Sequence, residues 1–245
     1  MKYLALVVLA VALAAPAARA GGFNLTWGTG CWRDNPATLE TFACDSNDAS
    51  VSFTVSAAPN KGLLDFYEIE AWLDIQSDSS ELPDWWQLTD PGGCRQGSLS
   101  TSADITATPG GCADPWQGHP ITFQGANWMT AAFPDGLPSV PANRAQLRVY
   151  YGIPGPGVTL PSGVEYYGFT VTINFVKTVG AEACGGCSTP VTIVLNQVIL
   201  WSQLRHNLTT PLDNQCLRWQ AGGATPCSAT PARSGTWGQL KSLYR

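Results

Sequence analysis

Residues 63–76 alternate between apolar and polar side chains, and this run constrains the fold more than any other part of the sequence. Side chains two positions apart on a strand share a face, so the apolar set predicts a buried face: Ile69, Ala71, Leu73 and Ile75. The intervening set predicts a solvated face: Glu68, Glu70, Trp72 and Asp74. This pattern is typical of an antiparallel sheet that covers a core with one face and meets water with the other.

Similar patterns predict further strands at 23–27, 51–55, 127–133, 145–151, 164–179 and 191–201, with short strand-like pieces at 85–88 and 121–123. In the run 164–179 the predicted inner face holds Tyr167, Phe169, Val171, Ile173 and Phe175. In the run 191–201 it holds Val191, Ile193, Leu195, Ile199 and Trp201. We interpret these two runs as a hairpin whose turn contains Cys184 and Cys187.

Glycine and proline are frequent, at 25 and 18 residues, and long segments rich in Leu, Glu and Lys are missing. The composition therefore favours strands and loops over helices. The predicted fold is all-β: an antiparallel, jelly-roll-like β-sandwich with disulfide-clipped loops and a short C-terminal helix.

The beginning of the chain has the pattern of a secretory signal peptide at residues 1–20. Lys2 supplies a positive charge, residues 4–15 form an apolar run, and alanines flank Arg19 at the expected cleavage point. The apolar run is too short to span a bilayer. We therefore expect a secreted protein in the extracellular space, on the cell surface or in the periplasm, without membrane insertion after cleavage.

A change of composition near residue 220 predicts where the folded domain ends. We expect a β-sandwich domain at 21–220, followed at 221–245 by a linker and a short amphipathic helix. Within that tail, Thr236 and Gln239 have the spacing of a capping box.

All eight cysteines follow the predicted signal peptide, and an even number in an oxidising compartment indicates disulfides. We expect neighbours in sequence to pair, as Cys31/Cys44, Cys94/Cys112, Cys184/Cys187 and Cys216/Cys227. Each bridge would close a short loop and contribute about 3 kcal/mol or less. A redox role for the Cys-Gly-Gly-Cys motif is disfavoured, because that chemistry needs a helix N-terminus and the motif precedes a strand-like run.

The charge and the catalytic motifs exclude several classes of function. The formal net charge is −5 and no basic stripe is present, so nucleic acid and anionic membranes are poor partners. His119 and His206 are the two histidines, and their spacing fits no metal site. The sequence lacks a Gly-x-Ser-x-Gly or His-Glu-x-x-His motif, although a Ser-His-Asp arrangement assembled by the fold stays open.

Ten tryptophans are many for a chain of this length, and several lie in loop-like segments near cysteines. Their flat apolar faces and polar N–H edges suit sugar rings, so we predict a glycan-binding surface made by Asp84, Trp85, Trp86 and Trp116. On an extended strand Trp85 and Trp86 would point to opposite faces, which places one of them in the core. The alternative is that such rings pack over disulfides and under long loops.

Two other sets of acidic residues are candidates for chemistry. Glu68 and Glu70 share a strand face beside Trp72, as the two carboxylates of a glycoside hydrolase could, although a solvated sheet face looks the same. We expect no cofactor. Calcium is an alternative on two loops that offer oxygen ligands, namely Asp45, Asn47 and Asp48 in one and Asp78, Glu81 and Asp84 in the other.

Several short segments are shared with a known group of proteins. They are the Phe-Asn-Leu-Thr-Trp segment at 23–27, Thr-Phe-Ala-Cys-Asp at 41–45, Leu-Pro-Asp-Trp-Trp at 82–86, Cys-Ala-Asp-Pro-Trp at 112–116, Glu-Tyr-Tyr at 165–167, Lys-Thr at 177–178, Cys-Gly-Gly-Cys at 184–187 and Ile-Val-Leu-Asn at 193–196. With them the chain resembles a group of uncharacterised secreted bacterial disulfide-containing proteins. The resemblance implies one exported domain and transfers no catalytic residue.

Three functional hypotheses follow from the sequence. The first is a secreted, non-enzymatic β-sandwich protein that binds an extracellular ligand such as glycan. The second is a structural surface or matrix subunit whose tail at 237–245 docks on a neighbouring surface protein or acts as a sorting element. The third is a glycoside hydrolase that uses Glu68 and Glu70.

Overall fold

The computed structural model describes residues 22–34, 36–89, 92–107, 111–130, 140–204 and 212–220. The predicted signal peptide at 1–20 and the predicted linker and helix at 221–245 lie outside the described residues, as does His206. The tail-docking hypothesis and the domain boundaries therefore stay predictions.

The described residues fold into twelve β-strands, which confirms the all-β prediction. The strands are β1 (Gly22–Trp27), β2 (Leu39–Glu40), β3 (Ser50–Ala58), β4 (Leu63–Ser77), β5 (Leu99–Ser102), β6 (Phe123–Met129), β7 (Arg144–Gly152), β8 (Val158–Leu160), β9 (Tyr166–Asn174), β10 (Val191–Ser202), β11 (Leu212–Asn214) and β12 (Cys216–Trp219).

The strands form the two sheets of a β-sandwich. The five-stranded sheet has the order β11-β1-β3-β9-β5, and the seven-stranded sheet has the order β2-β12-β10-β4-β7-β6, with β8 also paired to β4. Neighbouring strands are antiparallel except at one edge of each sheet, where β11 runs parallel to β1 and β2 runs parallel to β12.

The inner faces of the two sheets form one apolar core. The predicted inner residues of β4 are at most 2% exposed: Ile69, Ala71, Leu73 and Ile75. They belong to the same cluster as the inner residues of β3 and β9, namely Phe53, Val55, Phe169, Val171 and Ile173. Burying each large side chain of this kind stabilises the fold by about 1.5 to 3 kcal/mol, so alternation along β3, β4 and β9 fixes which face of each sheet turns inward.

The predicted hairpin between 164–179 and 191–201 is wrong. β9 pairs with β3 and β5 in the five-stranded sheet, whereas β10 pairs with β4 and β12 in the seven-stranded sheet. The segment 175–190 therefore crosses from one sheet to the other. Alternation shows that each run has an apolar face, but two strands that face each other across a core have the same pattern as two strands that pair.

The predicted inner face of β10 changes sides halfway along the strand. Its pairing with β4 is irregular between Leu195 and Gln197, so Asn196 is an extra residue in the register. Beyond this bulge Val198 and Leu200 are buried. Trp201 pairs with Glu68 and therefore lies on the outer face, contrary to the prediction from strict alternation.

Three disulfides join cysteines that are far apart in the sequence: Cys31–Cys112, Cys44–Cys187 and Cys94–Cys184. The predicted pairs Cys31/Cys44, Cys94/Cys112 and Cys184/Cys187 are wrong. The bridges span 81, 143 and 90 residues. In the chain-entropy account, loops of this length contribute about 4 to 5 kcal/mol each, more than short loops would. Cys216 is also disulfide-bonded, and Cys227, its predicted partner, lies outside the described residues.

Backbone contacts between distant loops explain this pairing. The Gly185 carbonyl accepts a hydrogen bond from the Trp85 amide at 2.9 Å. This contact brings the loop that contains Cys94 close to the turn that contains Cys184. At another place Glu165 accepts hydrogen bonds from the amides of Trp32 and Arg33, while its own carbonyl accepts one from Ala113. Glu165 therefore holds the loops of Cys31 and Cys112 together.

Candidate functional site

The predicted glycan surface does not form, because its three tryptophans are buried. Trp85 and Trp86 are 0% exposed and Trp116 is 3% exposed. Asp84 is exposed, and its carboxylate accepts a hydrogen bond from the Gln87 amide at 2.8 Å. The prediction that Asp84 and three exposed tryptophans together form a ligand-binding surface is therefore wrong.

The reason lies in the local backbone. Residues Asp84–Trp86 form a turn of 3₁₀-helix instead of a strand. With three residues per turn, adjacent side chains point about 120° apart instead of to opposite faces, so both indoles can enter the core. There they pack on Trp219, with ring centroids 5.0 and 5.2 Å from it.

A buried arginine completes the surroundings of Trp85. The Arg95 guanidinium lies 3.6 Å from the centre of the Trp85 ring and donates hydrogen bonds to the carbonyls of Trp85, Val176 and Asn174. Burial lowers the pKa of Arg95 to about 10, so it stays charged at neutral pH. Trp116 lies elsewhere in the core, 5.2 Å from the Phe66 ring.

The outer face of the five-stranded sheet is covered by the chain itself. Its residues are small and polar, and Thr26, Thr54 and Ser56 are fully buried. Thr54 donates a hydrogen bond to the Gly28 carbonyl, and Ser56 donates one to Glu165 at 2.6 Å. The loops after β1 and before β9 therefore cover this face.

The outer face of the seven-stranded sheet, in contrast, carries large, half-exposed side chains. Residues that pair directly across antiparallel strands share a face. One such row runs across the four strands β10, β4, β7 and β6 and consists of Trp201, Glu68, Gly152 and Phe123. We call these four residues the aromatic row.

Gly152 brings the members of the aromatic row together. A β-carbon at Gly152 would lie 2.0 Å from the Phe123 ring, so this ring occupies the space that a side chain would take. Phe123 therefore folds over β7 toward Glu68. Glu68 thus rises from the sheet with Trp201 on one side and the Phe123 ring on the other.

A cleft of about 510 Å³ opens at this end of the sheet, where β4 and β6 begin and β7 and β10 end. Its lining combines aromatic rings with polar groups: Tyr67, Phe123, Ile153, Pro154, Gly155, Trp201, Ser202 and Gln203. Backbone hydrogen bonds fix its walls, from Ile153 to the Tyr67 carbonyl and from Gln203 to the Asp65 carbonyl. The cleft therefore rests on paired strands.

Glu70, one row further along β4, holds the indole rings in place. Its carboxylate accepts hydrogen bonds from the indole N–H groups of Trp72 and Trp201, both at 3.0 Å, and from Arg148 at 2.6 Å. The Arg148 guanidinium also lies 5.3 Å from the centre of the Trp72 ring. Glu70 therefore acts as an anchor that orients Trp201 at the cleft.

Glu68 differs from Glu70 in having no hydrogen-bond partner among the described residues. Burial raises the pKa of the Glu68 carboxyl from its ordinary value, the neighbouring Glu70 raises it further, and Arg148 lowers it. The pKa of Tyr67 is raised as well, first by burial and then by the Glu68 charge. Glu68 is thus a partly desolvated acceptor in the aromatic row, directly opposite Trp201, which lines the cleft.

This difference bears on the hydrolase hypothesis. A glycoside hydrolase needs one carboxyl that gives a proton and one that attacks or activates water. Glu70 has both oxygens occupied by donors, which leaves Glu68 as the carboxylate of the pair that is open to a ligand. The two carboxylates therefore differ in their accessibility, and the hydrolase hypothesis stays a prediction.

The calcium prediction finds no direct support. In the first loop the Asn47 side chain is engaged in hydrogen bonds with the backbone of Thr178 and Val179. Within the described ranges, no cluster of three or more His, Cys, Asp and Glu side chains could hold a metal ion. Calcium stays a prediction, as does the absence of any cofactor.

The structure assigns to the cleft three aromatic residues that the sequence did not select: Tyr67, Phe123 and Trp201. Trp201 was expected in the core, and the bulge at Asn196 turns it outward. Two adjacent polar residues, Asn196 and Gln197, interrupt an otherwise apolar run and are the signal that could have indicated the bulge.

In the part of the chain that the structure describes, none of the helical segments has the length and apolar character needed to cross a bilayer.

Comparison with known proteins adds a distant similarity of fold. No protein-family model matches the sequence, and no curated protein matches it. Among solved structures, the chain is similar to a cohesin module from Clostridium perfringens ATCC13124 family 33 glycoside hydrolase, with a TM-score of 0.40 and 7% identity over 82% of this chain and 98% of the module. A similarity of this size carries no inference about ligand, partner or activity, and the resemblance to secreted bacterial proteins stays a prediction.

Proposed function

We propose that this chain is a secreted, non-enzymatic binding protein and that it holds a glycan in the cleft beside the aromatic row. The observation that carries the proposal is the combination of aromatic walls from Trp201, Phe123 and Tyr67 with a carboxylate, Glu68, that has no partner among the described residues. The proposal keeps the predicted class of ligand and moves the site from the buried tryptophans to the outer face of the seven-stranded sheet.

The chemistry of the cleft supports a sugar as the ligand. Flat aromatic faces match the C–H faces of sugar rings, and a free carboxylate accepts hydrogen bonds from hydroxyl groups. Binding sites commonly combine apolar walls with a few fixed polar groups in this way. Glu70 fixes the Trp201 ring before the ligand arrives, so little side-chain entropy is lost on binding.

The rim of the cleft adds exposed apolar surface. Leu64 and Leu204 are 59% and 50% exposed, two of the few large apolar residues with such exposure in the described chain. Both lie next to Ser202, whose hydroxyl donates to the Leu64 carbonyl and accepts from the Leu204 amide. The apolar area thus extends from the cleft toward a second sugar unit.

The disulfides support a site of action outside the cytosol. Three bridges are present among the described residues, and such bridges persist in oxidising compartments. Polysaccharides of the cell surface and its surroundings are ligands that a protein meets there.

The test is a glycan array followed by calorimetric titration of the best ligand. We expect Trp201→Ala to weaken binding about tenfold or more, since the indole ring that stacks on the sugar is removed. Trp32→Ala is the matched control, because Trp32 is half-buried on the loop after β1 and does not line the cleft. Circular dichroism of each variant verifies the fold. Binding that survives Trp201→Ala, or an array without any bound glycan, contradicts the proposal.

A further inference from the structure

Among the described residues, two carboxylates on the outer face of the seven-stranded sheet are held in ion pairs. Arg148 pairs with Glu70 at 2.6 Å, and Arg144 pairs with Asp74 at 3.0 Å. Glu68 has no ion pair or hydrogen bond in the described parts of the chain. Among the described residues, Glu68 therefore carries its negative charge in the aromatic row without a direct positive partner.

The neighbours of Glu68 are aromatic. Trp201 lies opposite it on β10, the Phe123 ring covers Gly152 on its other side, and Tyr67 precedes it in the chain and lines the cleft. Aromatic faces attract cations through the negative charge of their π-systems, and this attraction strengthens when water is excluded. A carboxylate between such rings is the arrangement that receives an ammonium group.

A neutral ligand would leave the Glu68 charge partly desolvated and without a directly paired cation among the described residues. A uronate would bring a second carboxylate toward it, and like charges at close range repel. A cation would provide the missing counter-charge and contact the ring faces at the same time. The balance of charge therefore favours a positively charged ligand group.

We propose that the Glu68 end of the cleft binds an ammonium group, so that the preferred ligand is an amino sugar with a free amine. This inference rests on the proposed glycan-binding function and specifies its ligand class. Glu68 supplies the counter-charge, and Trp201 and Phe123 supply the cation-binding faces.

The test compares two oligosaccharides of equal length, one of glucosamine and one of N-acetylglucosamine, at a pH at which the amine is protonated and Glu68 is ionised. They share a backbone and differ in charge. We expect the full-length exported chain to bind the glucosamine oligomer about tenfold more tightly. In Glu68→Gln we expect this preference to disappear, because the counter-charge is removed. Glu182→Gln, which removes an exposed carboxylate on the 175–190 segment, is the matched control and should keep the preference.

A second pair of probes separates this inference from the proposed function. Choline carries a permanent positive charge, and the uncharged alcohol in which carbon replaces its nitrogen has the same shape. We expect choline to quench tryptophan fluorescence in the wild type but not in Trp201→Ala, and the uncharged alcohol to leave it unchanged.

Each outcome decides between the two proposals. Equal binding of the two oligomers, or a preference that survives Glu68→Gln, overturns the ammonium site and leaves glycan binding intact. If neither oligomer binds, the choline pair decides: quenching by choline alone supports the ammonium site, and equal response to both probes, or to neither, overturns it. The glycan array decides the proposed function separately.

Discussion

Two carboxylates on one strand face have different roles because their neighbours differ. Glu70 receives two indole N–H groups and a guanidinium and is buried by them. Glu68, two residues earlier, receives none of these donors, and burial raises its pKa. The sequence places both residues on one face, but two of the three donors to Glu70 come from β7 and β10, so the difference depends on strand register.

Glu68→Gln is therefore expected to stabilise the free protein at neutral pH. Because the folded-state pKa of Glu68 is raised above its ordinary value of 4.5, the folded state binds this proton more tightly than the unfolded state does. The stability that this tighter proton binding contributes is fully present below the pKa that Glu68 has in the unfolded state. It is lost as the pH rises through the pKa that Glu68 has in the folded state. Since Glu68 is partly solvated, we expect the melting temperature of Glu68→Gln to be higher by about 1 to 2 °C at neutral pH.

Thermal unfolding of both proteins at neutral pH and at a pH below the ordinary glutamate range checks this expectation. The difference should vanish in acid, where the wild-type carboxyl is protonated in both states. A Glu68→Gln variant that melts below the wild type at neutral pH would show that Glu68 has a favourable partner in the free protein.

At the scale of elements, glycines in paired strands make room for aromatic rings. A β-carbon at Gly152 would meet the Phe123 ring at 2.0 Å, and one at Gly125 would meet the Tyr150 ring at 2.5 Å. The two glycines lie in adjacent rows of the outer face. Phe123 lines the cleft and Tyr150 does not, so the two positions form a matched pair for mutation.

Gly152→Ala is expected to move the Phe123 ring away from Glu68 and weaken ligand binding about tenfold, because one wall of the cleft is lost. Gly125→Ala is expected to move Tyr150 and leave binding within about twofold of the wild type. Titration with the best ligand from the glycan array measures both effects. Equal loss in the two variants would mean that general distortion of the sheet, instead of the position of Phe123, limits binding.

Alternation in the sequence predicts the inner face of β3, β4 and β9, because period-two patterns record burial directly. It misses the side change in β10, because a bulge shifts the period by one residue. It also misses the placement of Trp85 and Trp86, because three residues of 3₁₀-helix turn both rings inward. Local deviations of the backbone thus decide which aromatic residues reach the surface.

At the scale of the whole molecule, two disulfides and the cleft lie at opposite ends of β10. The turn that holds Cys184 and Cys187 precedes the strand, and the cleft lies at its far end. β10 has 12 residues, so the two regions are separated by about 40 Å. The cysteine pairing could not be predicted from spacing, since each bridge joins loops that are far apart in the sequence and meet in the folded structure.

The most direct test of the account is a nuclear magnetic resonance titration of the indole N–H signals with the glycan that binds best on the array. Single Trp→Phe variants assign the signals. We expect the signals of Trp72 and Trp201 to shift as ligand is added and those of Trp85, Trp86 and Trp219 to stay in place, because the last three lie in the core. Shifts at Trp85 or Trp86 with none at Trp201 would contradict a binding site on the outer face of the seven-stranded sheet.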